Sequence, residues 1–527
     1  MAHPPTPSRF TRTVRRRWWI GPIVVVVVAG AVALKLLTAP LQVSASVSEG
    51  DREVARTSGI VLTFNQNMNQ GSVRNGLKIV PAIPFSVKVR DPRTFEVHAQ
   101  LHADTAYELR VAQATKATGF GSLSYVVRFH TEPAPAVTAV TLGTSPLKDG
   151  QQAVPLRGTL AVAFSQPMDA RRTTLLLDGA PLALTAITWN SAGTLLSAPV
   201  TLAHSRSHSI SVPASSVNRR QDPLLKAFTL SFTAMAQVPS QGSTDRIGAS
   251  DAPILIQIEN SDQPTVRPQS GMQQADMIYE YISEYGIPRL TAVYWHPPSS
   301  FIGPVRSCRL ITVQLEQMYR GMIYCSGAND YVLGKVWQWP NVVYDYTYMY
   351  PYMFRTGDRV APHNVMARPD QITTHTAQAN LGAPAYDVTP THPDAPLPGA
   401  TPATTITVSK HGAVWRYDAS RGEYLKWQDG RPFMNAGTGQ VHAKTVIIEN
   451  VTSYLDVTPA NTFHGYHTEY YELAGSGTAD VYTKGGVVHA TWQHPNRDLP
   501  VVYYGPDGNP IDFNTGLTWV HVMGSDQ

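Results

Sequence analysis

The first clear pattern along the chain is an apolar run near its amino terminus. It extends from Trp18 to Leu34 and resumes after Lys35. Because a helix rises 1.5 Å per residue, about 20 apolar residues cross a hydrocarbon core roughly 30 Å thick. The run therefore predicts a transmembrane anchor over residues 18–38. A cleaved signal peptide is the alternative.

Basic residues before the run predict its orientation. They are Arg9, Arg12, Arg15, Arg16 and Arg17. Because basic residues resist translocation, residues 1–17 are predicted to form a cytoplasmic tail. The chain is then a single-pass protein of the cell membrane, held by one amino-terminal helix, with most of its mass outside the cytoplasm.

The next pattern is an internal repeat in which short alternating segments lie between turn residues. Val61–Met68 lines up with Ala161–Met168, 100 residues later, and Val127–Thr131 lines up with Leu230–Ala234. Alternation with a period of two predicts strands, and many short strands predict two all-β sandwiches. The two copies are predicted to span 41–133 and 134–236.

The shared Phe-x-Gln-x-Met element resembles bacterial immunoglobulin-like (Ig-like) domains found in surface proteins. That resemblance implies either binding to a partner or a spacer. A spacer is favoured because neither copy is rich in aromatic or charged residues that would mark a recognition surface.

Beyond the repeats, the pattern becomes that of an α/β domain followed by a mostly β part. Ile254–Ile258 is an almost continuous apolar strand, as in a sheet covered on both faces. Capping-box spacing of Ser270 and Gln273 predicts a helix that begins at Ser270. Further strands are predicted at 277–282, 290–295 and 322–324, with a helix at 307–319.

The predicted segments are a linker at 237–250, an α/β domain at 251–382, a second linker at 383–405 and a β-rich domain at 406–527.

The net charge of the chain indicates which classes of partner it would not bind through charge alone. The 527 residues include 42 Lys and Arg against 38 Asp and Glu, a net charge of +4, to which the arginines before the apolar run contribute. The body of the chain is nearly neutral, so no nucleic-acid-binding surface is expected.

Polar loop segments carry the strongest resemblance. They are Arg267-Pro-Gln-Ser-Gly271, the stretch from Ala275 to Glu280, Gly303-Pro-Val-Arg-Ser307 and Pro362-His-Asn364. In this order they resemble the YerB-like family of bacterial envelope lipoproteins, from about Ala252 to Met523. The resemblance implies an envelope protein and assigns no reaction. An anchor replaces the family's usual lipobox cysteine here.

Several of these residues are candidates for chemistry or binding. Arg306 and Arg309 offer planar donors suited to a carboxylate or a phosphate. His363 could act as a proton switch, and Glu280 as a general base. The other ligand-binding candidates are Asn260, Arg267, Gln269, Ser270, Arg289, Ser307 and Asn364. If the loops meet at strand ends, they form a polar cleft.

A structural interpretation of the same residues stays open. In it, Glu280 and Asp276 neutralise Arg289 and Arg306 within a buried ion-pair network, because such networks and active sites use the same residue types.

Cys308 and Cys325 are the two cysteines of the chain. In an oxidising compartment they could form a disulfide, two buried thiols being the second choice. A cysteine nucleophile with His363 as its base is disfavoured, because an exposed thiol would oxidise.

No metal or cofactor is predicted. His464 and His467 have ligand spacing without a third ligand at recognisable spacing. An aromatic segment could stack on sugar rings or simply pack. Its members are Trp337, Trp339, Tyr344, Tyr346, Tyr348, Tyr350 and Tyr352.

Together these patterns predict a membrane-anchored envelope protein that binds an envelope component, such as peptidoglycan or its synthesis machinery, or an envelope protein. The alternatives are a hydrolase or transferase that uses Glu280, His363, Arg306 and Arg309, and a purely structural scaffold.

Overall fold

A computed structural model describes residues 40–57, 59–241, 252–336, 338, 341–343, 351–388, 394–459, 462–463 and 466–525. The predicted anchor at 18–38 and the cytoplasmic tail lie outside these residues. Within the described residues, no helix has the length and apolarity that a membrane crossing requires. The described protein is multidomain and mostly β, with few helices.

The first repeat forms a sandwich of two four-stranded sheets. One sheet has the order β1 (Val43–Ala45), β3 (Ile60–Phe64), β6 (Thr94–Ala99) and β5 (Phe85–Asp91). The other has the order β2 (Asp51–Val54), β8 (Ser122–Thr131), β7 (Ala106–Thr115) and β4 (Leu77–Val80), and helix α1 (Gln70–Gly76) precedes β4. Alternate residues of β3 are buried, as the period of two predicts.

The second repeat forms a sandwich of two five-stranded sheets. One has the order β10 (Ser145–Pro146), β9 (Val137–Leu142), β12 (Arg157–Phe164), β16 (Leu195–Thr201) and β15 (Thr188–Trp189). The other has the order β11 (Gln151–Val154), β18 (Phe228–Ala234), β17 (Ser207–Val212), β13 (Leu176–Leu177) and β14 (Ala180–Pro181).

The methionines of the repeat occupy equivalent places. Met68 is 2% exposed and forms a bridge to Lys116, and Met168 is 1% exposed and forms a bridge to Asn218. The repeat in the sequence therefore reflects the same core contact in both sandwiches.

The remaining chain is one module built on a 13-stranded mixed sheet. Its main path is β24 (Val342–Val343), β23 (Met322–Tyr324), β20 (Ile254–Ile258), β22 (Pro288–Tyr294), β21 (Met277–Ile282), β42 (Thr518–Gly524), β36 (Thr445–Asp456), β39 (Gly475–Thr483), β40 (Gly486–His494) and β28 (Thr401–Pro402). At its side lie β37 (Thr462–Phe463), β38 (Tyr466–Glu472) and β41 (Val502–Tyr504).

This sheet crosses the boundary predicted between an α/β domain and a β-rich domain. Strand β21 pairs in parallel with β42, with Met277 opposite Thr518 and Glu280 opposite His521. The segments predicted at 251–382 and 406–527 therefore share one sheet.

Alternate residues of the central strands supply two cores, one on each face of the sheet. Leu255 packs in a core with helix α2 (Leu310–Tyr319), whereas Ile256 packs in the opposite core with Trp415. A small sheet covers that opposite face: β29 (Thr405–Val408), β30 (Ala413–Asp418), β31 (Glu423–Gln428), β32 (Arg431–Pro432) and β35 (His442–Ala443). The remaining elements are α3 (Asp330–Val336), α4 (Pro369–Gln378), and the strand pairs β25 (Met353–Arg355) with β26 (Val365–Ala367) and β33 (Met434–Asn435) with β34 (Gly439–Gln440).

Two local predictions in this module are wrong. No α-helix begins at Ser270: its hydroxyl donates to the Phe301 carbonyl, and its backbone pairs with Gly303. Gly271 then adopts a φ of +83°, and only a short 3-10 turn, Met272–Gln274, follows. The helix predicted from Ser307 begins at Leu310, because the Cys308 amide donates to the Gly327 carbonyl.

The start of the segment predicted as a linker at 237–250 is part of the module. Strand β19 (Ala236–Gln237) pairs with β27 (Tyr386–Asp387). The Gln241 amide donates to Asp276 over 2.7 Å, and the Gly516 amide donates to the Ser240 carbonyl. Residues 237–241 are therefore hydrogen-bonded to the module, whereas 242–250 lie outside the described residues.

Candidate functional site

Two of the polar loops predicted to converge, those of Arg306 and His363, meet at the end of strand β20, where both contact Glu259 rather than Glu280. His363 Nδ1 lies 2.9 Å from Glu259 Oε2, and Arg306 Nε lies 3.3 Å from the same oxygen. The carboxylate side chain is 4% exposed, against 20% for His363 and 23% for Arg306. We call Glu259, Arg306 and His363 the loop cluster.

The backbone fixes the geometry of the loop cluster. The Arg306 amide donates to the Gln257 carbonyl over 2.9 Å, and the Glu259 amide donates to the Pro304 carbonyl over 3.0 Å. Because a carboxylate only accepts hydrogen bonds, His363 carries a proton on Nδ1. A neutral His363 therefore has its acceptor nitrogen at Nε2.

A second group of charges lies beside the loop cluster, near the start of helix α2. Arg309 makes an ion pair with Glu284, and Ser283 Oγ donates to the same carboxylate over 2.5 Å. Arg289 Nη2 lies 3.9 Å from Glu284 Oε2. Burial alone would raise the pKa of Glu284, but Arg309 and then Arg289 outweigh it and lower that pKa to about 2. This carboxyl is therefore ionised at neutral pH.

The structural interpretation of the sequence is correct in kind and wrong in its partners. Arg306 pairs with Glu259, and Arg289 lies against Glu284. Asp276 instead accepts backbone hydrogen bonds, including one from Trp295 over 2.8 Å. Glu259 and Glu284, which follow β20 and β21, take the roles that the sequence-based interpretation gave to Glu280 and Asp276.

Glu280 lies in a separate, fully buried cluster beneath the loops. Its carboxylate accepts from Trp519 Nε1 over 2.7 Å and pairs with Lys426 Nζ at 3.0 Å, and neither charged side chain is exposed. Rings of Phe433, Trp415 and Trp519 surround the ammonium. Glu280 therefore does not share an open cleft with His363, and the predicted role as a solvent-accessible base is not supported.

Two histidines complete this buried cluster. His411 and His521 have their Nδ1 atoms 2.9 Å apart, and Trp415 Nε1 donates to His521 Nε2 over 2.9 Å. Burial lowers the pKa of His411 to about 4 and that of His521 well below its usual value. Both imidazoles are therefore neutral at pH 7.

Glu280, His411 and His521 place ligand atoms within 4.8 Å of one another. The hydrogen bonds argue against a metal there. Because the Trp415 indole donates to Nε2 of His521, the proton of that ring is on Nδ1, the atom that would face the ion. The ammonium of Lys426 also occupies the side of Glu280 that a cation would need.

The other predicted residues lie around these clusters. Asn260 Nδ2 is 3.4 Å from Glu280 Oε1, and the Asn260 carbonyl accepts from Arg267. Gln269 donates to the Glu259 carbonyl over 2.9 Å. Asn364 accepts from Arg355, and Ser307 is half-buried. Arg267 also pairs with Asp429 at 2.8 Å, so it connects the two halves of the module.

Cys308 and Cys325 form the predicted disulfide. It joins the loop that carries Arg306 and Arg309 to the end of β23. The Ser326 amide also donates to the Arg306 carbonyl over 2.8 Å. The covalent bond and this hydrogen bond together hold the arginine loop in place.

Of the aromatic segment, Tyr352 is described, and its ring lies 4.3 Å from that of His375. The other six members of that segment, and His464, lie outside the described residues.

Comparison with known proteins agrees with the resemblance in the sequence. The model of the N-terminal domain of a protein of unknown function, DUF3048, matches residues 241–382, and the model of its C-terminal domain matches residues 404–520. The Bacillus subtilis (strain 168) protein YerB, named as a candidate lipoprotein, is 22% identical over 292 residues, which cover 51% of this chain and 81% of YerB.

Among solved structures, the crystal structure of Bacillus subtilis YerB aligns with 55% of this chain and 96% of its own, with 19% identity and a TM-score of 0.45. L,D-transpeptidase 3 from Mycobacterium tuberculosis aligns over 23% of this chain and 43% of its own, with 19% identity and a TM-score of 0.13. With both domain models matched in sequence order, the chain belongs to the YerB-like (DUF3048) family.

Proposed function

We propose that this protein is tethered to the membrane outside the cytoplasm and that its YerB-like module binds a component of the cell envelope, namely peptidoglycan or its synthesis machinery. The apolar run at 18–38 supports the tether, and so does the description of the relative YerB as a candidate lipoprotein. The disulfide between Cys308 and Cys325 supports an oxidising compartment.

The convergence of polar loops on Glu259 is the observation that carries the proposed binding function. A strand end, the Gly303–Ser307 loop and the His363 loop bring a guanidinium and an imidazole to the same carboxylate. The side chains of Arg306 and His363 each keep about a fifth of their surface exposed, whereas Glu259 is buried beneath them. Groups held in this way can bind a polar ligand without first being ordered.

The two sandwiches are proposed as the spacer between membrane and module. Arg220 pairs with Glu132 across the junction of the sandwiches, and His204 Nε2 lies 2.7 Å from Asp512 of the module. These contacts favour a spacer whose domains touch one another over three domains without mutual contacts.

A hydrolase or transferase is the second candidate function, and one contact favours it. Glu259 holds His363 Nδ1 at 2.9 Å and so directs Nε2 away from the carboxylate, as a carboxylate does for a histidine base. In this candidate, Glu259 replaces Glu280 as the acid that matters, because Glu280 is fully buried.

The test uses the detergent-solubilised full-length chain, so that the apolar run at 18–38 does not itself account for binding. It measures co-sedimentation with purified peptidoglycan and retention on immobilised envelope proteins. We expect the wild type to bind one of the two. His363→Ala should weaken binding at least tenfold while leaving thermal unfolding nearly unchanged, since Glu259 keeps Arg306 as a partner. His489→Ala, at a side chain 79% exposed on β40 of the same module, is the matched control and should bind as wild type does.

Failure of the wild type to bind either material would refute the binding function. Equal binding by wild type and His363→Ala would exclude the loop cluster as the binding site. Release of soluble wall fragments by wild type, and not by His363→Ala, would favour the hydrolase.

A further inference from the structure

Arg289 is a buried cation whose hydrogen-bonding capacity is largely unused. Its side chain is 8% exposed, and within the described part of the chain its Nε and Nη1 atoms have no hydrogen-bond partner. Its remaining contact, 3.9 Å from Nη2 to Glu284, is too long for a hydrogen bond. A guanidinium stays protonated in proteins, so unmet buried donors cost stability. A hydrogen-bond acceptor placed at Nε and Nη1 of Arg289 would remove this cost.

The neighbouring carboxylates are already engaged. Glu284 binds Arg309 and accepts from Ser283, and Glu259 accepts from His363 and Ser261. Arg289 therefore shares these acids with stronger or closer partners.

The charge count of the group is uneven. Arg289, Arg306 and Arg309 carry three positive charges, whereas Glu259 and Glu284 carry two negative charges. Burial, followed by repulsion from Arg309, lowers the pKa of Arg289 to about 10, and Glu284 opposes that change. Among the described residues, Arg306 Nε also has no hydrogen-bond partner, since its 3.3 Å contact with Glu259 is an ion pair without hydrogen-bond geometry. One further negative charge would balance the group and satisfy these donors.

We propose that Arg289, together with Arg306 and Arg309, binds an oxyanion, a carboxylate or phosphate group of the ligand. This inference rests on the proposed binding function and adds the chemistry of the group that is bound. Arg306 is the most exposed of the three, with 23% of its side chain exposed, whereas Arg289 and Arg309 are each 8% exposed. A bidentate guanidinium suits either oxyanion.

The test uses inorganic phosphate and, in a parallel series, acetate as probes of the full-length chain. Binding is measured by calorimetry and by the shift in thermal unfolding temperature. The ionic strength is held constant, and chloride serves as the reference anion. We expect one of the two probes to bind saturably and to raise the unfolding temperature. Arg289→Met should weaken that binding at least tenfold.

A matched control and a stability readout separate binding from a structural role. Arg421→Met, at an exposed arginine of the same module, should bind the probe as wild type does. Without probe, Arg289→Met should unfold at the same or a higher temperature, because it removes an unsatisfied buried charge while Glu284 keeps Arg309. If it does not fold, Arg306→Gln, at a partly exposed side chain, must show the same tenfold loss.

Each result bears on one proposal. Equal binding of the probe by the wild type, Arg289→Met and Arg306→Gln would overturn the oxyanion site. So would a wild type that binds phosphate and acetate no better than it binds chloride. A lower unfolding temperature of Arg289→Met with unchanged probe binding would show a structural arginine. A wild type that binds envelope material but neither probe would refute this inference alone. A wild type that binds a probe but no envelope material would refute the proposed function alone.

Discussion

Glu259 and Glu280 show how the surroundings of two buried acids separate their roles. Glu259 meets a histidine and an arginine that reach solvent, whereas Glu280 is fully enclosed with Lys426 and Trp519. Burying an ion pair costs desolvation, so the pair persists only with good geometry and added hydrogen bonds. Glu259, whose partners are partly exposed, suits binding or catalysis, and Glu280, whose partners are enclosed with it, suits the joining of the two halves of the module.

Glu280→Gln tests the role of the enclosed acid. It leaves the Lys426 ammonium buried without its counter-charge, so the free energy of unfolding should fall by about 3 kcal/mol. Chemical denaturation measures the change, and Glu49→Gln, at an exposed glutamate, is the control.

The double variant Glu280→Met, Lys426→Met removes both charges and should recover much of that loss. A single variant as stable as wild type would show that the pair contributes little.

Glu449 gives a prediction about pH. Burial raises its pKa to about 7, while the Tyr503 hydroxyl that donates to it acts in the opposite direction. The folded state therefore holds a proton that the unfolded chain releases near pH 4.5. The associated stability is fully present below pH 4.5 and is lost as the pH rises through 7. The difference in pKa corresponds to about 3 kcal/mol.

The free energy of unfolding of Glu449→Gln, measured from pH 5 to pH 8, should therefore fall by about 2.5 kcal/mol less than that of the wild type. Parallel curves for the two proteins would contradict the raised pKa.

Elements whose pattern is local could be predicted from the sequence, and those that depend on distant contacts could not. Strands β20, β21 and β23 have the predicted bounds, because apolar residues that supply two cores leave a continuous apolar run. The helix predicted at Ser270 is absent because Gly303, distant in sequence, takes its backbone hydrogen bonds. Lys426 and His521 gave no signal, since their role depends on Glu280 from the other half of the module.

The disulfide connects two elements and gives a prediction at this scale. Replacing both cysteines, Cys308→Ala with Cys325→Ala, should lower the free energy of unfolding by about 3 kcal/mol. It should also weaken binding of the oxyanion probe, because the loop that carries Arg306 and Arg309 loses its covalent attachment to the end of β23.

Denaturant unfolding with and without reductant measures this change. Reductant should destabilise the wild type to the level of the double variant and leave that variant unaffected. An equal response of both proteins would show that the bond contributes nothing.

At the scale of the whole molecule, the shared sheet makes the N-terminal and C-terminal halves of the YerB-like module one folding unit. Strand β21 of the first half pairs with β42 of the second, and the same two cores contain residues from both halves. A half made alone would expose strand edges and core faces together.

Residues 237–388 and residues 394–527, produced separately, should therefore lack fixed tertiary structure. Co-expression should yield a folded pair. Near-ultraviolet circular dichroism and chemical-shift dispersion measure the difference, and a well-dispersed spectrum from either half alone would contradict a single folding unit.

The short seam between β19 and β27 has a mechanical consequence. A tether at one end and a captured polymer at the other would put the chain under tension, and the pull would pass from the second sandwich into residues 236–237. Because β19 and β27 share two residue pairs, this pairing would separate before the 13-stranded sheet unfolds. The protein would then lengthen under tension while the module stays folded and keeps the polymer bound.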